Sequence, residues 1–296
     1  MTDLLAVPNV SVADDEEALG RLAEAFGRSA RVLDFHTDGD HGRSVFTLAG
    51  EPGGLTESLV AGAVEALETL DMSSYMGAHP AIGALDVCPV VWLREEDRGA
   101  ARTEALAVAA QIGGIGVPVF LYGELARAPG RAERAYFRNG GLTELWLRME
   151  GGELRPDFGP SVPHPRGGAT LVTARPPLAA FNVELEGAGL EDARAVAAAL
   201  REAGGGPPGV RAIGLMLSSG RAQVSTNVHD PLATPLGAVV EAVRRLAEPL
   251  GARPVEAELV GLIPAAAMVD YPADVPIRGF DPERHVIERR LASSSE

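Results

Sequence analysis

Residues 210–228, VRAIGLMLSSGRAQVSTNV, decide the fold. Two runs that read as strands flank the polar turn SSGR, which makes the stretch a hairpin. Working outward, LEDARAVAAALREAG (190–204) before it and PLGAVVEAVRRLAEPLG (235–251) after it read as helices. Outside those lie two further strands, LAAFNVEL (178–185) and PVEAELVGLIP (254–264). The order is β-α-β-β-α-β, the split βαβ arrangement of ferredoxin-like units. Each helix must cover one face of the sheet that its neighbouring strands build.

The first half repeats this order with different residues. Strand LLAVPNV (4–10) leads into helix DEEALGRLAEAFG (15–27), whose carboxylates suit a helix start. Strands RVLDFH (31–36) and RSVFTLAG (43–50) follow, joined by the turn TDGDHG. Helix GGLTESLVAGAVEALETL (53–70), apolar at helical spacing, and strand ALDVCPVVWL (84–93) complete the set. Between the repeats lie a helix (95–114), the strand VPVFLYG (117–123) and a basic, helical segment (127–152). LRPDFGPSVPHPRGGA (154–169) is too rich in proline and glycine to be the interior of an element. A boundary at ARPPL (174–178) gives subdomains 1–175 and 176–296, with the tail LASSSE (291–296) expected to fray. The expected fold is α/β (α+β): two related ferredoxin-like βαββαβ subdomains, each a sheet covered by helices. A cleft between them is the natural place for a ligand.

Composition narrows the function. Of 296 residues, 46% are hydrophobic and 23% charged, as in ordinary globular proteins. No stretch reaches the length of apolar sequence that a membrane span needs. The N-terminus lacks the basic region of a signal peptide. A single cysteine, Cys88, excludes an internal disulfide framework, so a cytoplasmic chain is expected. The net charge of -15, from 26 basic and 41 acidic residues, argues against a broad nucleic-acid surface. A local arginine cluster would still admit a small anion.

Four groups carry candidate chemistry. His79 lies in GAHPAIGA (77–84), a loop sequence at the entry to a buried strand. Imidazole exchanges protons near neutral pH, which few side chains do unaided. DFHTDGDHGR (34–43) collects Asp34, His36, Asp38, Asp40 and His41, yet its spacing matches no specific metal site, so no metal is expected. Within it Asp34 and His36 suit a cleft better than the turn-tip residues. Cys88 reads as a packed thiol in a strand. Asn9 and Asn182 occupy equivalent places after the first strand of each repeat, and Arg43 begins the second hairpin strand. Gln223, Ser225 and Asn227 alternate onto one face of their strand, which suits either an exposed edge or a ligand cleft. GxSxG, GxxxxGK[ST] and a GxGxxG following a strand are absent.

Taken in order, VPNVS, DMSSYMGAHPAIGALDVCPVV, VPVFLYGE, RPDFGP, AFNVEL, QVSTN and ELVGLIP resemble the formiminotransferase domain family over nearly the whole chain. The resemblance implies transfer of a formimino group from N-formimino-L-glutamate to N5 of tetrahydrofolate, in histidine degradation and one-carbon metabolism. It implies tetrahydrofolate as cosubstrate, a homodimer, and catalysis by His79. Folate contact is implied at Asp157, Phe158, Gly159 and Pro160. On that resemblance, Asn9, Asp34, His36, Arg43, Asn182, Gln223 and Asn227 become substrate- or folate-binding candidates. Family members often carry a basic residue where Met76 stands, an acidic one at Ala78 and an arginine at Ala81. These apolar replacements leave room for another one-carbon donor, such as a formylated folate, or for a folate-binding relative without turnover.

Overall fold

The computed structural model describes residues 4–39, 42–75, 81–217 and 219–293, with the backbone alone for Asp38. The chain divides into two compact units, Met1–Arg175 and Pro176–Glu296.

In the first unit, β1 (Leu4–Ala6) and β2 (Asn9–Val10) form one strand line interrupted at Val7 and Pro8. Proline has no N–H to donate, but its carbonyl still accepts from the Phe46 N–H at 3.0 Å, so the line continues past the break. Helix α1 (Glu16–Phe26) starts at Asp15, whose carboxylate accepts from the Ala18 N–H at 2.9 Å. Strands β3 (Arg31–Asp38) and β4 (Arg43–Gly50) form the hairpin. Helix α2 (Gly54–Thr69), strand β5 (Leu85–Val91) and helix α3 (Arg98–Gly114) follow. Gly53 offers α2 no capping side chain. Glu104 of α3 serves instead, accepting from Gly53 N–H (2.8 Å), Thr56 N–H (2.8 Å) and Thr56 Oγ1 (2.7 Å).

The sheet runs β3-β4-β1/β2-β5 in antiparallel order and is extended by two parallel strands, β6 (Val119–Leu121) and β7 (Thr170–Arg175). Strand β7, TLVTAR, was not anticipated from the sequence. It sits between β5 and β6, and all but Arg175 are buried. A parallel strand covered on both faces carries no polar alternation to betray it. Helices α4 (Arg134–Arg138) and α5 (Gly141–Glu150) lie in the basic segment between β6 and β7. The unit has a core on each face of its sheet. One, with Phe26, Phe46, Leu59, Val90 and Ile112, lies under α1, α2 and α3; the other joins Val87, Phe120 and Leu171 to Phe137 and Leu145 of α4 and α5.

The second unit contains β8 (Ala179–Glu186), α6 (Leu190–Leu200), β9 (Val210–Met216), β10 (Ala222–Val228), α7 (Leu236–Ala247) and β11 (Arg253–Val260). Its antiparallel order, β11-β8-β10-β9, matches β5-β1/β2-β4-β3 of the first. Both units are thus ferredoxin-like, each a sheet covered by helices. Helices α8 (Pro282–His285) and α9 (Ile287–Ser293) close the chain, so the tail expected to fray is helical as far as Ser293. Among the described residues no helix is long and apolar enough to cross a membrane.

Candidate functional site

Strand register gathers four candidates onto one face of the first sheet. His36 pairs with Val45, Val45 with Asn9, and Asn9 with Val87. Val87 belongs to the core under α4 and α5, so this row lies on the face away from α1, α2 and α3. Asp34 and Arg43, each two residues along from a member of the row, share that face. His36 is exposed, whereas Asn9, Asp34 and Arg43 are half-buried. A bulge at Leu33, where β3 steps two residues against one on β4, precedes Asp34. Asn9 turns its amide inward and donates to the Val7 carbonyl at 2.9 Å.

His79 lies outside the described residues, as do Asp40 and His41 of the turn and Met76 and Ala78. The described neighbours of segment 76–80 are informative. A concavity of about 270 Å³ is lined by Ser11, Gly42, Asp71, Met72, Ser74 and Tyr75, among others. Asp71 accepts from Ser73 N–H (3.0 Å) and Ser73 Oγ (2.7 Å), which holds its carboxyl below the usual range. Burial pushes the Tyr75 phenol up; the charge of Asp86 adds to this, while Arg43 and Arg138 oppose it. Asp86 and Arg138 form a buried ion pair, and the other Asp86 oxygen accepts from the Ile82 N–H at 2.8 Å. Sequence reasoning missed this pair. Its one visible signal was an acid inside the apolar strand LDVCPVV.

Residues 157–160 form a clasp on the outer strand β6. The Phe158 carbonyl accepts from Val119 N–H at 2.9 Å, and the Asp157 N–H donates to the Val119 carbonyl at 2.8 Å. The Asp157 carboxylate accepts from Leu121 N–H (2.8 Å) and pairs with Arg131 (2.7 Å) and Arg127 (3.1 Å). Gly159 has φ +82°, and a Cβ there would meet the Val117 carbonyl oxygen at 2.5 Å. Phe158 is half-buried, while Gly159 and Pro160 are exposed. Cys88 is fully buried and its thiol is pushed up to about 12 by loss of solvent, the environment of a packed side chain.

In the second unit α6 and α7 cover one sheet face, and the opposite face is polar. Across it Ile213, Ser225, Asn182 and Glu258 stand in register on β9, β10, β8 and β11. Ser225 Oγ donates to Asn182 Oδ1 at 2.7 Å, and Asn182 Nδ2 donates to Glu258 Oε2 at 2.9 Å. Gln223 and Asn227 flank Ser225 on the same face, the first buried and the second exposed. The buried Glu184, opposite Gln223, pairs with Arg278 and with Arg221 (3.5 Å). Glu258 and these arginines were not among the sequence candidates. Among the described residues no cluster of three or more His, Cys, Asp or Glu is placed to hold a metal ion.

Residues 4–175 match the formiminotransferase domain, N-terminal subdomain, and residues 180–275 match the formiminotransferase domain. The chain is 32% identical over 296 residues to glutamate formimidoyltransferase of Thermoplasma acidophilum, covering 98% of this chain and 97% of that one. It is 32% identical over 291 residues to glutamate formimidoyltransferase of Streptococcus pyogenes serotype M1, covering 96% and 97%. To formimidoyltransferase-cyclodeaminase of Sus scrofa it is 37% identical over 281 residues, 90% of this chain but 51% of that protein.

Proposed function

This chain belongs to the formiminotransferase family, and on that premise we propose that it is a glutamate formimidoyltransferase. The reaction moves the formimino group of N-formimino-L-glutamate to N5 of tetrahydrofolate and releases L-glutamate and 5-formiminotetrahydrofolate. The observation that carries the reading is likeness along both units, with coverage of nearly the full length of relatives that bear this name.

The chemistry needs two proton transfers. N5 attacks the formimino carbon and gives up its proton as a tetrahedral adduct forms. The adduct then collapses, breaking the bond to the glutamate nitrogen, which takes a proton as it leaves. His79 is assigned both steps, accepting from N5 and donating to the departing nitrogen. Asp34 or His36 orients that imidazole or faces the positive amidine, and Arg43 holds a substrate carboxylate. Their shared face on the first sheet supports this division of labour. Folate contact falls to Asn9, to the segment that Asp157 anchors (Phe158, Gly159 and Pro160), and to Asn182, Gln223 and Asn227 of the second unit. On this reading 1–175 and 176–296 are the two subdomains of the transferase, and the protein works as a cytoplasmic homodimer. Apolar Met76, Ala78 and Ala81 favour a second reading, a different one-carbon donor such as a formylated folate, or folate binding without turnover.

The test is to mix the purified protein with formiminoglutamate and tetrahydrofolate and follow product absorbance. Turnover is expected, with His79→Ala lowering kcat by about 10²–10⁴-fold while folate binding persists. Equal turnover in the variant removes the proton role. Turnover with a formyl donor alone selects the second reading, and tight folate binding with neither donor used selects a binding protein.

A further inference from the structure

We infer that Asp86 and Arg138 are positioning residues for the transfer reaction, fixing the backbone at Ile82, just beyond the segment that contains His79. This rests on the function proposed above. Asp86 is the one acid in β5, a strand buried along its whole length. It occupies a bulge: Asn9 pairs with Val87 but Val10 with Leu85, so β5 spends an extra residue at Asp86. A bulge re-aims a side chain, and such irregularities are common beside active sites. Here the carboxylate takes the Ile82 N–H on one oxygen (2.8 Å) and Arg138 Nη2 on the other.

Stability is a weak reason for this arrangement. The two side chains are 4% and 9% exposed, and removing both ions from water offsets much of their attraction. Among the described residues, Arg138 Nε is buried without a hydrogen-bond partner. The arginine is nonetheless firmly seated. Phe137 beside it is fully buried, with its ring 5.1 Å from that of Phe120 on β6. Tyr75, on the other flank of segment 76–80, feels the charges of both Asp86 and Arg138. The pair, carried by β5 and α4, therefore holds the chain at Ile82 from a rigid support.

The test compares kcat, KM and thermal midpoint for the full chain and three variants: Arg138→Met, Arg138→Lys, and Asp86→Asn combined with Arg138→Met. The double variant leaves no buried charge unpaired. It is expected to melt within about 5 °C of wild type, with kcat down about 10–100-fold and both KM values within about threefold. Arg138→Lys should recover part of kcat. A purely structural pair would lower the folded fraction without changing kcat per folded molecule. The inference is overturned by a folded double variant with wild-type kcat, by a loss confined to KM, or by failure of all three variants to fold. A wild-type chain without turnover would overturn the function proposed above and this inference together; an active wild type with unaffected variants overturns this inference alone.

Discussion

Two rows of residues, one in each unit, occupy the same place in the same topology. In the first sheet the row His36, Val45, Asn9, Val87 crosses β3, β4, β2 and β5. In the second, Ile213, Ser225, Asn182 and Glu258 cross β9, β10, β8 and β11. Each has asparagine on the first strand, but their neighbours differ. Asn9 sits between two valines and bonds to its own backbone, whereas Asn182 links a serine to a carboxylate. The first unit has also added β6, β7, α4 and α5, which build a second core on this face. Duplication thus kept the strand order and let the two faces opposite the paired helices α1/α2 and α6/α7 diverge, one toward apolar packing around a few polar groups and the other toward a hydrogen-bonded polar strip.

The largest expected effect contrasts how tightly each unit packs. In Gly214→Ala a Cβ on β9 would lie 2.3 Å from Ala193 and Arg194 backbone atoms of α6, which cannot step aside. Denaturant titration should show a loss of about 3 kcal/mol or more. In the first unit, Gly62→Ala on α2 would meet the Phe26 ring at 2.0 Å, and a ring can turn, so about 1–3 kcal/mol is expected. A larger cost at Gly62 would reverse the contrast. Next comes a device built only with α3: Glu104→Ala strands three donors at the start of α2 and should cost about 2 kcal/mol. Faster hydrogen exchange at the Thr56 amide would locate the damage; unchanged exchange would refute the capping role.

Smaller effects probe the rows themselves. Asn182→Ala should cost about 1 kcal/mol, because two half-buried partners lose a bond, and Asn9→Ala roughly half as much. Equal costs in paired melts would mean that the rows do not differ as described. A further, pH-dependent effect of similar size concerns Cys88, whose thiol keeps its proton in the folded chain up to about 12, whereas an unfolded chain ionises near 8.5. Its contribution is complete below that lower value and is lost progressively as pH rises from there through about 12. Cys88→Ala should therefore lose about 1 kcal/mol less stability than wild type between pH 8 and about 9.5. Thiol-reagent labelling of the native chain at neutral pH should be negligible; rapid labelling would place Cys88 in an open environment.

Much of the fold was legible because local physics writes it locally. Asp15 with Glu16 and Glu17 marks a helix start, and the turn SSGR marks a hairpin, without reference to distant residues. Strand β7 escaped because TLVTAR follows a proline- and glycine-rich loop and is buried on both faces, with no polar alternation. At the site, Gln223, Ser225 and Asn227 could be assigned to one face by alternation alone. Asp86 was visible as an odd acid in an apolar strand, but its partner Arg138 lies 52 residues away on a short helix. Nothing in the local pattern around either residue names the other. Asp157 is similar: its motif was readable, while its commitment to Leu121, Arg127 and Arg131 was not.

By itself the sequence determined the doubled β-α-β-β-α-β order and the family, since periodicity, turn chemistry and short motifs are properties of neighbouring residues. Tertiary structure alone decided which side chains meet. Pairing across strands depends on register, and a single bulged residue, as at Leu33 or Asp86, changes which way the side chains beside it are aimed. That shift leaves no mark in the linear pattern, because it arises only when one strand is laid against another.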